Sequence, residues 1–376
     1  MKYLAVLGRQ PEISIAELEA LGIKHWTSVD GDALSREVNF GRLPICIVFS
    51  FTKALDINKL GGVLKLAVKL EQKPLNYLQE LPGGKITIGV SDYSKNVSSK
   101  TAFNEALKLK KILVRHGRSV RIVESRQAVL SSATSLHNGL SGNNERKVEL
   151  IRTNDEWYRV IGVQDIDSYA KRDQARPARD AKVGLLPPKL AQILINMCGS
   201  LPENSVILDP FCGTGVVLQE ALLMGYRAYG TDINERMIDY SNKNLKWLDA
   251  GSFELAQGDA TTYEWRQPID AVACEGYLGR PFATIPSEME LKKEKQECGT
   301  IVTGFLKNLV GQIGVGVPVT IAVPAWLRNN RHYERLEILD EIVKLGYNVD
   351  NKTREGLLYH RDGQVVARDI LILRKK

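Results

Sequence analysis

The chain has 376 residues, of which 44% are apolar and 25% charged, the composition of a soluble globular protein of two or three domains. No apolar run reaches the roughly 18–20 residues that cross a bilayer, and the opening MKYLAVLGRQPEIS lacks the basic region, apolar core and cleavage site of a signal peptide. Five widely spaced cysteines (Cys46, Cys198, Cys212, Cys274 and Cys298) form no CxxC pair, so a reduced, cytoplasmic chain without disulfides or metal is expected, and its net charge of +7 should draw polyanions.

The first block, residues 1–83, reads as a strand at 3–7, a helix at 15–21 capped by Ser14, short strands at 43–49 and an amphipathic helical pattern at 60–70. The turn Pro82-Gly83-Gly84 opens a second block, 84–166, with a helix at 101–115 and strands at 85–90, 119–124, 147–152 and 157–164. This block carries Lys95, Lys100, Lys108, Lys110, Lys111, Arg115, Arg118, Arg121 and Arg126 against only Glu105 and Glu124. A solvated helix face accounts for part of that density; a nearby phosphate backbone accounts for it better. Lys108, Lys111, Arg115 and Arg118 are the expected RNA contacts. Residues 167–184, rich in Arg, Lys and Asp, read as a linker, and Arg172, Arg176 and Arg179 join the expected phosphate contacts.

The third block, 185–376, alternates strands (206–209, 227–232, 253–257, 269–274, 317–323) with helices (189–197, 216–224, 235–248, 287–312, 333–345). It closes on a hairpin of 347–359 with 364–374 around Asp362-Gly363. Such alternation with right-handed crossovers predicts an α/β fold, a Rossmann-like, mostly parallel seven-stranded sheet with a terminal antiparallel hairpin.

The segment VILDPFCGTG at 206–215 is an apolar strand, an acid and a glycine turn before a helix. Ligands of such sheets lie over that turn, at the carboxyl ends of the strands, where glycines admit the ligand without a Cβ in the way. The next strand ends on Asp232, placed to accept ribose hydroxyls, and the third leads to Gly258-Asp259-Ala260, where an acid could bond an adenine amine. A dinucleotide site would require glycine where Leu218 stands. Asp209 before the glycines suits instead a ligand with a zwitterionic methionine and a positive sulfonium. The expected S-adenosylmethionine site is thus Asp209, Phe211, Gly213, Thr214, Gly215, Asp232, Ile233, Asp259 and Ala260. Cys212, inside the loop, reads as a packing residue.

DPFCGTG followed by TDIN resembles the class I methyltransferases and, more narrowly, the THUMP-containing tRNA guanine-N2 methyltransferases. LGRQPEISIAELEAL (7–21), VLSSATSLHNGL (129–140) and RDQARPARDAKVGLLPPKLAQILIN (172–196) carry further resemblance, so that it touches all three blocks. It implies a ferredoxin-like domain at 1–83, a THUMP domain gripping tRNA at 84–166, a linker at 167–184 and a class I methyltransferase domain at 185–376.

Methyl transfer to an exocyclic amine needs acceptors for both N–H bonds, an aromatic ring to hold the extruded base, and in-line positioning. Related enzymes use an Asp-Pro-Pro-Tyr type motif after the fourth strand. Here that strand runs into Glu275-Gly276-Tyr277-Leu278-Gly279: both prolines are missing, the acid is one methylene longer, and the aromatic residue is one place closer. Divergent relatives resemble it with Glu-Pro-Tyr-Leu-Gly. Glu275 and the Gly276 carbonyl are expected to accept from the amine and Tyr277 to stack on the base, whereas His137 and His332 read as surface or structural residues. A DNA or rRNA amine methyltransferase, and an inactive RNA-binding protein of the same fold, stay as alternatives. A small activator subunit and the oligomeric state are left open.

Overall fold

The computed structural model describes residues 1–29, 44–94, 97–154, 156–180, 186–266, 268–329, 332–350 and 357–376. Two units divide it: Met1–Ile15 with Ile23–Tyr169, and Ala16–Gly22 with Ala170–Lys376. Lys95 and residues 181–185, the end of the expected linker and the start of the expected third block, lie outside the described residues.

In chain order the elements up to Val163, all of the first unit except the part of α1 from Ala16 on, are β1 (Lys2–Leu7), α1 (Pro11–Ala20), β2 (Trp26–Ser28), β3 (Cys46–Ser50), β4 (Val63–Lys69), α2 (Pro74–Glu80), β5 (Ile86–Asp92), α3 (Ser99–Arg115), β6 (Val120–Ile122), α4 (Ser132–His137), β7 (Lys147–Thr153) and β8 (Glu156–Val163). The strands form one sheet in the order β2-β3-β1-β4-β8-β7-β5-β6. Antiparallel pairing of β4 with β8 (Lys65 opposite Val163, Lys69 opposite Tyr158) runs it without a break across residue 84.

Two expectations for this unit are corrected. Ser14 does not cap a helix: α1 begins at Pro11, and Ser14 is buried inside it, its hydroxyl donating back to the Gln10 carbonyl at 3.2 Å. Residues 60–70 hold no α-helix, because 63–69 are the strand β4, in which the consecutive residues Lys65, Leu66 and Ala67 are buried, so that both faces are covered. Such a strand loses its polar alternation, and its apolar spacing then imitates a helix face. Its one interior charge, Lys65, is buried against Glu149 at 2.6 Å, and its ammonium also donates to Ser135 Oγ (2.9 Å) and the Leu130 carbonyl (2.7 Å). That closed network satisfies a charge that burial would otherwise penalise heavily.

Helix α5 (Ile166–Gln174) contains the point where the units part, between Tyr169 and Ala170. The linker expectation for 167–184 is corrected to that extent: 166–174 is helical, and Arg172 and Arg176 are buried.

The second unit continues with α6 (Pro188–Met197), β9 (Val206–Asp209), α7 (Val216–Leu223), β10 (Arg227–Asp232), α8 (Glu235–Leu248), β11 (Phe253–Gln257), β12 (Ala271–Glu275), α9 (Glu288–Val310), β13 (Pro318–Asn329), β14 (His332–Arg335), α10 (Leu339–Lys344), β15 (Tyr347–Val349), β16 (Leu358–Tyr359) and β17 (Val366–Lys375). Its main sheet runs β11-β10-β9-β12-β13-β17-β15. The first five strands pair in parallel, and β17 runs antiparallel between β13 and β15. This is the expected Rossmann-like α/β sheet with its antiparallel end. α9 starts with a capping box, Ser287 with Glu290, and its buried face (Val302, Phe305, Leu306, Leu309) joins Val272, Ile321 and Trp326 in the main core. The helix expected at 333–345 is corrected: 332–335 is the strand β14 on β13, and only 339–344 is helical. Among the described residues no helix is long and apolar enough to cross a membrane.

Candidate active site

β10, β9 and β12 are neighbours, so Asp232, Asp209 and Glu275, the last residue of each, gather at one edge of the sheet. The turn after β9 is built by local chemistry. Asp209 Oδ1 accepts from the Phe211 N–H at 3.1 Å, and Asp232 accepts from Gly213 (Oδ2, 2.9 Å) and Asn234 (Oδ1, 2.9 Å), tying the first and second strand ends together. Gly213 and Gly215 sit at φ +52° and +84°. A Cβ on Gly215 would lie 2.9 Å from Ser241 Oγ, so packing against α8 demands glycine there. A Cβ on Gly213 would meet nothing nearer than the Phe211 carbonyl at 3.9 Å, so that side of the turn is open to a ligand.

Electrostatics mark the same edge. Burial pushes the Asp209 carboxyl well above its usual range, opposed by the Phe211 N–H and reinforced by Asp232 and Glu275. Burial also raises Asp232, against the pull of the Asn234 and Gly213 N–H groups. Crowded, desolvated acids favour a cation between them. Ile233 is 66% exposed directly after Asp232, an apolar surface for a flat ring. Asp259 is exposed, its Oδ1 accepting from the Thr261 N–H and hydroxyl at 2.8 Å each, and Ala260 is buried beside it. Thr214 is buried; its carbonyl accepts from Asn244 (2.8 Å) and its hydroxyl from Arg176 (3.2 Å). Cys212 packs in a small core with Leu218 and Leu245.

At the end of β12, Glu275 Oε1 accepts from Arg368 Nε, and the Gly276 N–H donates to the Ala322 carbonyl at 2.9 Å. Burial raises the Glu275 carboxyl, opposed by the Arg368 charge and hydrogen bond. Tyr277 is half-buried, and its hydroxyl donates to Glu297 at 3.1 Å, which pins the ring against α9. Sequence reading missed Arg368. The available signal was a charged pair, Arg368-Asp369, inside the apolar strand VARDILILRK, and both residues are buried.

The expected RNA contacts separate into two groups. Lys108, Lys111 and Arg115 are exposed on α3, Lys108 meeting Glu105 at 2.7 Å, and Arg179 is exposed with its guanidinium on the Gln174 carbonyl. Arg118 donates to the carbonyls of Leu81 and Pro82 and holds that turn. Two residues need correction. Arg172 is buried with Glu220 (Nε to Oε1, 2.7 Å), and Arg176 is 4% exposed on Thr214, so neither presents its charge at the surface for a phosphate. His137 is exposed and meets Asp167 at 3.1 Å, and His332 is exposed.

Two family models match the chain: one described as a DNA methylase, over residues 96–243, and one described as a methyltransferase domain, over 201–310. The tRNA (guanine(10)-N2)-dimethyltransferase of Methanothermobacter thermautotrophicus is 32% identical over 157 residues, covering 41% of this chain and 44% of that protein. The protein of the same name from Pyrococcus abyssi is 35% identical over 137 residues, covering 35% of this chain and 39% of that protein. The chain thus spans less than half the length of these curated relatives. Among solved structures, TrmN from Thermus thermophilus aligns over 100% of both chains at 16% identity, with a TM-score of 0.48.

Proposed function

We propose that this protein is an S-adenosylmethionine-dependent methyltransferase that acts on the exocyclic N2 amine of a guanosine in tRNA. The observation that carries the reading is the meeting of Asp209, Asp232 and Glu275 at one sheet edge, beside a glycine turn whose open side would take a ligand. Asp209, Phe211, Gly213, Thr214 and Gly215 would cradle the methionine part, the sulfonium charge favouring loss of the Asp209 proton as the cofactor binds. Asp232 would accept the ribose hydroxyls, and Ile233, Asp259 and Ala260 would border the adenine. When bound, S-adenosylmethionine supplies an electrophilic methyl group.

The chain's own task is to prepare the amine. Glu275 and the Gly276 carbonyl accept its two N–H bonds, which draws the nitrogen lone pair out of conjugation with the base. The Gly276 N–H is already committed to the Ala322 carbonyl, which ties the peptide just before this carbonyl to β13. Tyr277, held by Glu297, offers its ring to the extruded base. Once the nitrogen is methylated it is acidic, so its proton passes to solvent without a strong base.

The exposed charges of α3 support a THUMP-like, RNA-gripping role for 84–166. All five cysteines are buried thiols, which suits a reducing cytoplasm. The curated relatives named above are tRNA enzymes, which favours tRNA over the DNA reading. Offering the protein labelled cofactor with tRNA, rRNA and duplex DNA tests this. Incorporation into tRNA alone is expected, and incorporation into DNA alone overturns the substrate assignment.

A further inference from the structure

Glu275 and Arg368 stand on opposite sides of β13. Glu275 is opposite Ala322 on that strand and Arg368 opposite Pro324, so the pair lies two residues apart along one face. Their side chains cross two strand spacings, about 10 Å. Ala322 and Pro324 are short enough to be crossed over. An arginine together with the extra methylene of a glutamate closes this span. An aspartate at 275 would stop short. The departure from the aspartate of the related motif and the presence of Arg368 are therefore one feature. The contact is made inside the protein, with the two side chains 16% and 6% exposed.

We infer that Arg368 is a positioning residue for the amine acceptor: it holds Glu275 by Oε1 and leaves Oε2 to receive the substrate N–H. The inference rests on the function proposed above. Among the described residues Oε2 accepts no hydrogen bond, while Oε1 is taken by Arg368 Nε. A carboxylate this buried is driven toward its neutral form, and a neutral carboxyl accepts poorly. On β9 the nearest titratable group is Asp209, itself raised by burial, and on β17 it is Arg368. Burial disfavours a negative charge on Glu275, and the Arg368 charge and hydrogen bond favour it. Arg368 thus keeps the acceptor ionised and fixes its orientation.

The test uses the full chain with Arg368→Gln, Arg368→Lys, Glu275→Asp and Glu275→Gln, each first checked for native circular dichroism. Protonation of Glu275 is followed by infrared difference spectroscopy, as the carboxyl C=O band that Glu275→Gln removes. In the wild type this band should be absent at pH 7. In Arg368→Gln it should appear near neutral pH, and kcat at pH 7 should fall several-fold and recover at higher pH, because burial then acts on the carboxyl with no opposing charge. Glu275→Asp, too short to reach Arg368, should show the same displaced acid limb. Arg368→Lys should keep the wild-type limb with a lower kcat, because its charge remains and its fork geometry is gone. If Arg368→Gln leaves both the band and the pH profile of kcat as in the wild type while Glu275→Gln is inactive, the inference is overturned and the proposed function stands. If Glu275→Gln is as active as the wild type, the amine-acceptor reading itself is overturned.

Discussion

Arg172 grips Glu220 at two points, Nε to Oε1 at 2.7 Å and Nη2 to Oε2 at 3.2 Å, with the glutamate side chain 1% exposed. Glu220 lies on α7, the helix that begins at the glycine turn, so this pair anchors α5 to that helix. Burial raises the Glu220 carboxyl and Arg172 opposes the rise. Arg172→Met should therefore cost about 3–5 kcal/mol, because an uncompensated charge stays buried, whereas Arg172→Met with Glu220→Leu should recover most of it. Urea denaturation of the three proteins checks this.

Asp209 offers a pH signature. Its folded carboxyl is raised, so the native state keeps a proton that the unfolded chain releases near pH 4. Stability from that difference is present at low pH and is lost as pH rises through the folded value. Asp209→Asn removes the titration. In the absence of cofactor it should raise Tm at neutral pH, by roughly 2–4 °C for each kcal/mol regained, with the gain vanishing below about pH 4. The same variant should bind S-adenosylmethionine more weakly. A Tm difference that grows on acidification would contradict the assignment.

Gly215→Ala places a Cβ at φ +84° against Ser241. The strain and displacement should cost about 1–3 kcal/mol and lower cofactor affinity as the turn shifts. Isothermal titration and thermal melting read the two effects separately.

On α3, replacing Lys108, Lys111 and Arg115 with alanine should leave Tm nearly unchanged, since all three are exposed. It should weaken tRNA binding and reduce the slope of log K against log salt by about 2–3, as expected for lost phosphate contacts. Titrations at several salt concentrations decide the point, and an unaltered slope would remove α3 from the RNA interface.

What the sequence disclosed follows the range of the forces involved. The strand–turn–helix of 206–223 is made by near neighbours, with an apolar strand, an acid capping its own turn and glycines at positive φ, and it reads directly. The strand at 63–69 does not, because burial on both faces erased its alternation and Lys65 is neutralised by Glu149 from a distant strand. Arg172 and Arg176 read as surface charge because composition gives no sign of which way a basic side chain turns. The Glu275–Arg368 contact joins residues 93 apart in sequence, so only the register of three strands reveals it.

The most direct test of the central claim is mass spectrometry of nucleosides from tRNA incubated with the protein and S-adenosylmethionine carrying a deuterated methyl group. The wild type should place the label on N2 of guanosine, and Glu275→Gln should reduce it by roughly 100-fold or more, the scale of a lost, positioned acceptor. Label on another base, or undiminished label in Glu275→Gln, would contradict the account.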